Sequence, residues 1–349
     1  MTTSIMLGLA VFLGATPAMA KNTRFLNFFP VYRDDFIQIR DGPCAAEFAL
    51  KQAGAQVCRS LLNCMLGNTS EVIKGDMGSG IVVLGLGPTI LTFLGSGTAE
   101  TSLLARRRPL LALLIASGSP AVSPLPTFVY PNPIEELEAR DNHLAIMHFS
   151  PIQAIFVSIL EYVLIMGAIV NVYITAFTMG SWSINTISCD DLWYPTLWAM
   201  TTLFIHIFGS WCLALRVSTP GNNEDSRHQV KERLFRWIRN ELTPCITHNK
   251  LDLIWKSESY LFVAISWWTS LLTVVHLLYG TVAFSSVQFI GYVDSIQILA
   301  RFMGSAVVCR AVLMFELAGM RNALKYESPQ EEYSLVRVSH TRLPSSHDF

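Results

Sequence analysis

Five long stretches of this 349-residue chain carry almost no charged side chains, and they constrain its fold more than any other feature. They cover residues 77–95, 152–178, 194–215, 259–284 and 296–318. A helix needs about 20 mostly apolar residues to cross a bilayer, and each stretch has roughly that length. Only 15% of the residues are charged, whereas a soluble domain has about 25%. The sequence therefore predicts an all-α membrane protein, a polytopic helix bundle of five to seven spans.

The distribution of positive charge orients this bundle. The connection 216–258 contains eight Lys or Arg residues, whereas the connections 179–193 and 285–295 contain none. Because basic loops stay on the cytoplasmic side of a membrane, we expect 216–258 and the C-terminal tail 319–349 to be cytoplasmic. The tail has no apolar run, so we also expect it to be largely disordered. Residues 21–76 then lie on the lumenal or extracellular side of an endomembrane or the plasma membrane.

The N-terminus has the pattern of a secretory signal. Residues 1–20 form an apolar stretch that ends in Ala18-Met19-Ala20, which fits the small-x-small rule for cleavage. An uncleaved anchor is the alternative, because this stretch contains no Lys or Arg. Either reading exports the residues that follow. It also exposes the sequon Asn68-Thr69-Ser70 to the glycosylation machinery, so we expect Asn68 to be glycosylated.

The cysteine positions predict a small disulfide-stapled segment on the exported side. Residues 21–76 contain three cysteines, which would leave one unpaired, and the predicted topology adds a fourth on the same side. The four disulfide candidates are Cys44, Cys58, Cys64 and Cys189. Exported cysteines commonly pair, so these four permit two disulfides. The remaining Cys212, Cys245 and Cys309 fall in spans or in the cytosol and are expected to stay reduced.

Residues 109–126 are apolar over too short a run to make an ordinary span. If this piece crossed completely, the basic connection 216–258 would lie outside. We therefore expect a re-entrant or interfacial segment, and a short sixth span is the alternative. Irregular backbone at membrane depth survives only where it is buried in protein or lines a cavity. A re-entrant piece with Pro120 would line a cavity that opens to the cytosol beneath Arg106–Arg108, and we expect the substrate site there.

Ionisable side chains inside spans are the candidate chemical groups, because burying them in a bilayer is costly. At 1.5 Å per residue, Glu161, His206 and Arg310 fall at one predicted depth in three different spans. They are the candidates for a polar site within the membrane that binds or protonates a lipid-soluble substrate. We favour the other reading, a structural ion pair between Glu161 and Arg310 that fixes helix register. His276 reads as a hydrogen-bonded packing residue. The sequence contains no metal-ligand or cofactor motif, and no residue is assigned a catalytic role.

The segment 226–242 predicts an amphipathic helix at the membrane surface. Its apolar residues recur at helical spacing: Val230, Leu234, Trp237, Ile238 and Leu242. Its basic residues fall between them: Lys231, Arg233, Arg236 and Arg239. Such a helix lies on the anionic lipid of the cytoplasmic leaflet. Docking on a partner protein is the alternative.

Three stretches carry a resemblance to known proteins. They are EVIKGDMG from Glu71, LGLGPTILTFLGSGTAETSLLARRRPLLALLIASGSPAV from Leu84, and ARFMGSAVVCRAVLMFELAGMR from Ala300. Together they resemble multi-pass membrane proteins of filamentous fungi that have no assigned chemistry, over most of residues 40–325. The layout is also similar to the transmembrane proteins encoded in fungal indole-diterpene biosynthetic clusters. This resemblance implies an accessory membrane protein and transfers no catalytic residue.

These observations favour a non-enzymatic protein that supports a membrane-bound pathway such as fungal secondary metabolism. Its expected partners are membrane lipids and other membrane-bound pathway proteins, and the net charge of −1 gives no attraction to nucleic acid. The alternative is an integral-membrane enzyme, such as a terpene cyclase, that acts on a prenylated substrate with Glu161 as proton donor. Its cation-stabilising aromatic residues would be Trp267, Trp268, Phe204 and Phe208. A receptor or channel is a third possibility.

Overall fold

The computed structural model describes residues 24–123, 150–218, 230–247, 254–255 and 259–325. Three short helices open this part of the chain: α1 (Arg33–Asp41), α2 (Ala45–Gln52) and α3 (Cys58–Asn68). They are followed by α4 (Glu71–Leu94), α5 (Thr98–Ala105), α6 (Pro109–Gly118), α7 (Pro151–Trp182), α8 (Tyr194–Arg216), α9 (Val230–Glu241), α10 (Tyr260–Ser285) and α11 (Tyr292–Lys325). The predicted signal 1–20 lies outside the described residues.

Short strands and turns join these helices at three places. β1 (Ser96–Gly97) pairs in parallel with β2 (Val122–Ser123). β3 (Ile184–Asn185) pairs with β6 (Val287–Gln288), and β4 (Val217–Ser218) pairs with β5 (Ile254–Trp255), both antiparallel. The 3₁₀ turns are Pro30–Tyr32 and Cys245–Thr247.

Five helices, α4, α7, α8, α10 and α11, are long and apolar enough to cross a membrane. They confirm the predicted all-α polytopic bundle. One boundary was wrong, because α11 continues through Lys325 and the predicted tail begins as helix from Gly319. The reason is packing: Gly319 touches the backbone of Ile246, and Arg321 is buried. The rest of the predicted tail, 326–349, lies outside the described residues.

Small residues bring the spans close together. The backbone of Gly80 in α4 approaches Gly291 and Ser295 at the start of α11. Gly85 in α4 approaches Ser285 at the end of α10. Glycine permits such contacts because it has no side chain to hold the backbones apart, and membrane helices use it for this purpose.

The N-terminal segment covers one end of the bundle, which we call the disulfide end. Cys44 is bonded to Cys64, and Cys58 is bonded to Cys189 in the loop between α7 and α8. The two disulfides confirm all four predicted cysteines. The cysteines without a disulfide, Cys212, Cys245 and Cys309, are buried.

Arg24 ties the start of the described chain to the same end. Its guanidinium is buried and donates to the carbonyl oxygens of Ser183 at 3.0 Å, Asp191 at 2.9 Å and Cys189 at 3.1 Å. Burial lowers the pKa of Arg24 to about 10, which still leaves it charged at neutral pH. An ion pair between Lys51 and Asp190 adds a further link.

The helix α4 does not continue to the far end of the bundle, because the chain breaks at Gly95–Gly97 and restarts as α5. After the turn 106–108, α6 runs back until β2 lies beside β1. A Cβ atom at Gly95 would lie 2.5 Å from the Ala121 carbonyl oxygen, so only glycine permits this return. The ten residues of α6 rise about 15 Å, half of a hydrocarbon core. The described part of the predicted segment, 109–123, thus holds a helix too short to cross a membrane alone, and its re-entrant placement stays a prediction.

The opposite end of the bundle, which we call the basic end, holds α9 and the hairpin turn 106–108. The Glu241 carboxylate at the end of α9 accepts from the Leu110 N–H at 2.6 Å and from the Tyr162 hydroxyl at 2.8 Å. The exposed apolar residues on and beside α9 are Phe235 (71%), Ile238 (40%) and Leu242 (44%). The helix expected from the sequence is present over Val230–Glu241. The predicted positions 226–229 lie outside the described residues.

Candidate functional site: a helix break beside an aromatic groove

Two buried histidines mark the interior of the bundle near the break in α4. The Nδ1 atom of His206 in α8 lies 2.8 Å from the Thr101 hydroxyl in α5. The Nδ1 atom of His276 in α10 lies 2.7 Å from the Thr201 hydroxyl in α8. Each imidazole therefore has a hydroxyl partner on a neighbouring helix, which fixes its position.

Trp198 holds the second histidine in place. Its ring stacks on the His276 imidazole with the centroids 5.2 Å apart and the planes 7° apart. Phe284 and Phe302 pack against the edges of this buried indole. The backbone carbonyl of Pro120, at the end of the α5–α6 hairpin, lies beside the imidazole, whose Nε2 atom has no hydrogen-bond partner among the described residues. The hairpin thus reaches the interior site by way of His276.

The break leaves several polar atoms buried without a partner among the described residues. They are the Ser96 hydroxyl, the Thr98 hydroxyl and the Nε2 atom of His206. Polar groups at membrane depth need a hydrogen-bond partner. This cluster therefore provides hydrogen-bonding capacity for water or for a polar group of a ligand.

A groove of about 380 Å³ lies between α8 and α10 and reaches His276. It is lined by Thr201, Phe204, Ile205, Phe208, Trp268, Leu272, Val275, His276 and Tyr279. Phe204, Trp268 and Val275 are half exposed on the outer surface of the bundle, which faces lipid where these helices cross a membrane. Thr201, His276 and Tyr279 bring polar side-chain atoms to the wall, and the Tyr279 hydroxyl donates to the Tyr194 carbonyl at 3.2 Å. The groove therefore has an apolar, aromatic lining and a small hydrogen-bonding patch.

The three sequence-predicted site residues do not form one site. Glu161 is bonded to Arg108 at 2.5 Å, Arg310 is paired with Glu100, and His206 is bonded to Thr101. The favoured pairing of Glu161 with Arg310 was therefore wrong. The hairpin α5–α6 inserts beside α7 and α11 and supplies each of the three with its partner.

Arg108 lies in the hairpin turn but is not an exposed loop charge. Its side chain is fully buried and pairs with Glu161 and with Glu316, the latter at 2.9 Å. The Ser158 hydroxyl accepts a further bond at 2.8 Å. One guanidinium thus links the hairpin to α7 and α11, a structural role that buried ion pairs can fill.

The sequence did not indicate Glu100, Thr101 or Thr201 as functional residues. Glu100 had a detectable signal, because it stands three residues after the cap position of α5 and accepts from the Gly97 N–H at 3.0 Å. Thr101 and Thr201 had none, since a threonine in an apolar helix usually bonds to its own backbone.

Three of the four aromatic residues expected to stabilise a cation, Phe204, Phe208 and Trp268, line the groove. Glu161, the expected proton donor, is not in the groove wall and is held by Arg108. Among the described residues no cluster of His, Cys, Asp or Glu could hold a metal ion.

The fold and the site together define a class: an all-α, multi-pass membrane protein with an aromatic groove that opens to the bundle surface. No family model, curated protein or solved structure matches this chain.

Proposed function

We propose that this chain is a non-enzymatic membrane protein that holds a lipophilic molecule in the groove between α8 and α10 for a membrane-associated pathway. The observation that carries the proposal is the groove itself, with its aromatic walls and the hydrogen-bonded Thr201–His276 pair in its lining. Its volume of about 380 Å³ falls in the range of about 300–1,000 Å³ typical of small-molecule sites.

The groove favours a ligand with an apolar body and one uncharged polar group. Such a molecule enters sideways from the lipid, because half-exposed Phe204 and Trp268 border the opening. Its hydroxyl or carbonyl group then approaches His276, whose ring is fixed by Trp198 and Thr201. Apolar surface supplies most of the affinity, and the single polar contact sets the orientation.

The pathway we propose is fungal secondary metabolism of the indole-diterpene kind, and it rests on the sequence resemblance. Prenylated intermediates of such a pathway have the apolar body that the groove favours. The protein would then present or shelter an intermediate between membrane-bound enzymes rather than transform it.

Gene replacement tests this function. A Leu272→Trp variant fills the groove, whereas Leu278→Trp places the same ring on an exposed position of α10 outside the groove wall. We expect a deletion strain to lose or reroute prenylated metabolites, Leu278→Trp to restore them, and Leu272→Trp to fail at normal protein level. An unchanged metabolite profile in the deletion strain would reject the pathway role.

A prenyl-substrate enzyme is the second candidate, because Phe204, Phe208 and Trp268 converge on one groove where they could stabilise a cation. With Glu161 engaged by Arg108, His276 is the group left in the groove to move a proton. Purified protein given prenylated substrates decides between the two candidates. Turnover that is lost in His276→Gln and kept in Phe93→Gln, an exposed site on α4, would favour the enzyme.

A further inference from the structure

The hairpin turn at the basic end carries two arginines, Arg106 and Arg107, that form no ion pair within the described residues. Arg108 has its partners in Glu161 and Glu316. The Nε atom of Arg106 and the Nε and Nη2 atoms of Arg107 are buried without a hydrogen-bond partner among the described residues. Both side chains are partly buried, and Glu316, the carboxylate near Arg107, is already paired with Arg108. Partly buried cations that lack a paired anion are unfavourable, so this turn favours a negatively charged group.

The position of the turn relative to the membrane indicates which anion is available. Arg108 touches Glu316, which lies 24 residues after the start of α11 at Tyr292, a rise of about 36 Å. A hydrocarbon core is about 30 Å thick. The turn therefore reaches the headgroup level at the basic end, where phosphate is the abundant anion.

The helix α9 supports the same placement. Its last residue, Glu241, caps the first turn of α6 through the Leu110 N–H, directly after the three arginines. Phe235 and Ile238 of this helix are exposed, as expected for a helix with its apolar face in the lipid interface. The turn and α9 thus meet at one membrane surface.

We propose that Arg106 and Arg107 bind the phosphate of an anionic phospholipid at the basic end of the bundle. Guanidinium groups match phosphate oxygens with paired N–H donors, and basic pockets between membrane helices hold lipid headgroups in this way. The bound lipid compensates the two charges and secures the tip of the re-entrant hairpin. This site is separate from the groove and does not depend on the groove's ligand.

The test uses the full chain in phosphatidylcholine nanodiscs with and without phosphatidic acid, followed by thermal unfolding and by native mass spectrometry of retained lipid. We expect phosphatidic acid to raise the Tm and to stay bound. Each of Arg106→Gln and Arg107→Gln should weaken its binding by about fivefold. Arg59→Gln, an exposed arginine at the disulfide end, is the matched control and should bind as the native chain does. Arg107→Lys keeps the charge and should bind more tightly than Arg107→Gln.

Three results would overturn the proposal. Equal stabilisation by inorganic phosphate would assign the turn to a free anion. Equal binding of phosphatidic acid by the native chain and the Arg106→Gln and Arg107→Gln variants would remove these arginines from the lipid site. Changing Glu135, Glu136 and Glu138 to Gln could lower the stability in pure phosphatidylcholine while phosphatidic acid has no effect. That result would assign the partner of the two arginines to segment 124–149.

Discussion

The site requires a glycine at position 280, because a larger residue would not fit there. A Cβ atom there would collide with the indole nitrogen of Trp198, the ring that stacks on His276. The close approach of α8 and α10 therefore requires glycine at this position, and the orientation of the imidazole depends on it.

The first prediction follows from this contact. Gly280→Ala should lower the free energy of unfolding by about 1–3 kcal/mol, because overpacking forces the indole away. Gly304→Ala is the control, since a Cβ atom there meets nothing within 4 Å and alanine favours the helix by up to about 1 kcal/mol. Thermal unfolding in detergent compares the two. Equal stability of both variants would contradict the tight approach at Trp198.

Arg108 gives the second prediction at the residue scale. Arg108→Gln leaves Glu161 and Glu316 buried without their cation and should cost about 3–5 kcal/mol. Adding Glu161→Gln and Glu316→Gln removes both charges and should restore most of that loss. A mutant cycle measured by thermal unfolding reports the coupling. Strictly additive effects would mean that the three charges do not form one unit.

At the scale of elements, the two disulfides close loops of very different length. Cys44–Cys64 spans 20 residues, whereas Cys58–Cys189 spans 131 and joins the N-terminal segment to the loop between α7 and α8. The longer link therefore restricts the unfolded chain more strongly.

The third prediction is that loss of the longer link costs more. On chain entropy alone, Cys58→Ser with Cys189→Ser should lose about 5 kcal/mol, and Cys44→Ser with Cys64→Ser about 3 kcal/mol. Unfolding of the two double variants in non-reducing detergent measures the difference. A larger loss from the Cys44–Cys64 pair would show that local structure, rather than loop closure, sets the contribution.

The spans could be predicted from the sequence because each is a long apolar run, and the disulfide cysteines followed from parity and sidedness. The break between α4 and α5 could not be predicted from the sequence. Residues 96–102 are small and polar, and in sequence they resemble a loop leading to the arginines of the turn. Only in the fold does this segment become a buried helix that supplies Glu100 to Arg310 and Thr101 to His206.

The groove was predictable in part. Phe204 and Phe208 stand one helical turn apart in α8, so a shared face was expected, and Trp268 was named with them as a candidate. His276 was assigned to packing because a single histidine in a span carries no pattern. Its place in the groove wall depends on Thr201, Trp198 and the hairpin end at Pro120, which three separate segments bring together.

For the whole molecule, the distribution of positive charge predicts that the disulfide end lies on the exported side and the basic end in the cytosol. Asn68 is exposed at the end of α3, beside the Cys44–Cys64 disulfide. If the disulfide end is lumenal, this side chain is available to the glycosylation machinery.

The fourth prediction tests that orientation. The chain expressed in a eukaryotic cell should shift in mobility on glycosidase treatment, and Asn68→Gln should abolish the shift. Asn63→Gln, an exposed asparagine outside any sequon on the same helix, should keep it. Protease cleavage of a tag inserted at Asn223 should occur from the cytosolic side in sealed microsomes. Protection of that tag would reverse the orientation and move the basic end to the lumen.

We propose above that the groove between α8 and α10 holds a lipophilic molecule. Photocrosslinking tests this with a prenol analogue that carries a photoreactive diazirine, added to the full chain in nanodiscs and mapped by mass spectrometry. We expect crosslinks at Phe204, Phe208 and Trp268. Excess unlabelled prenol and the Leu272→Trp change should suppress these crosslinks, whereas Leu278→Trp should not. Crosslinks spread evenly over the exposed faces of the five spans, with no competition, would contradict it.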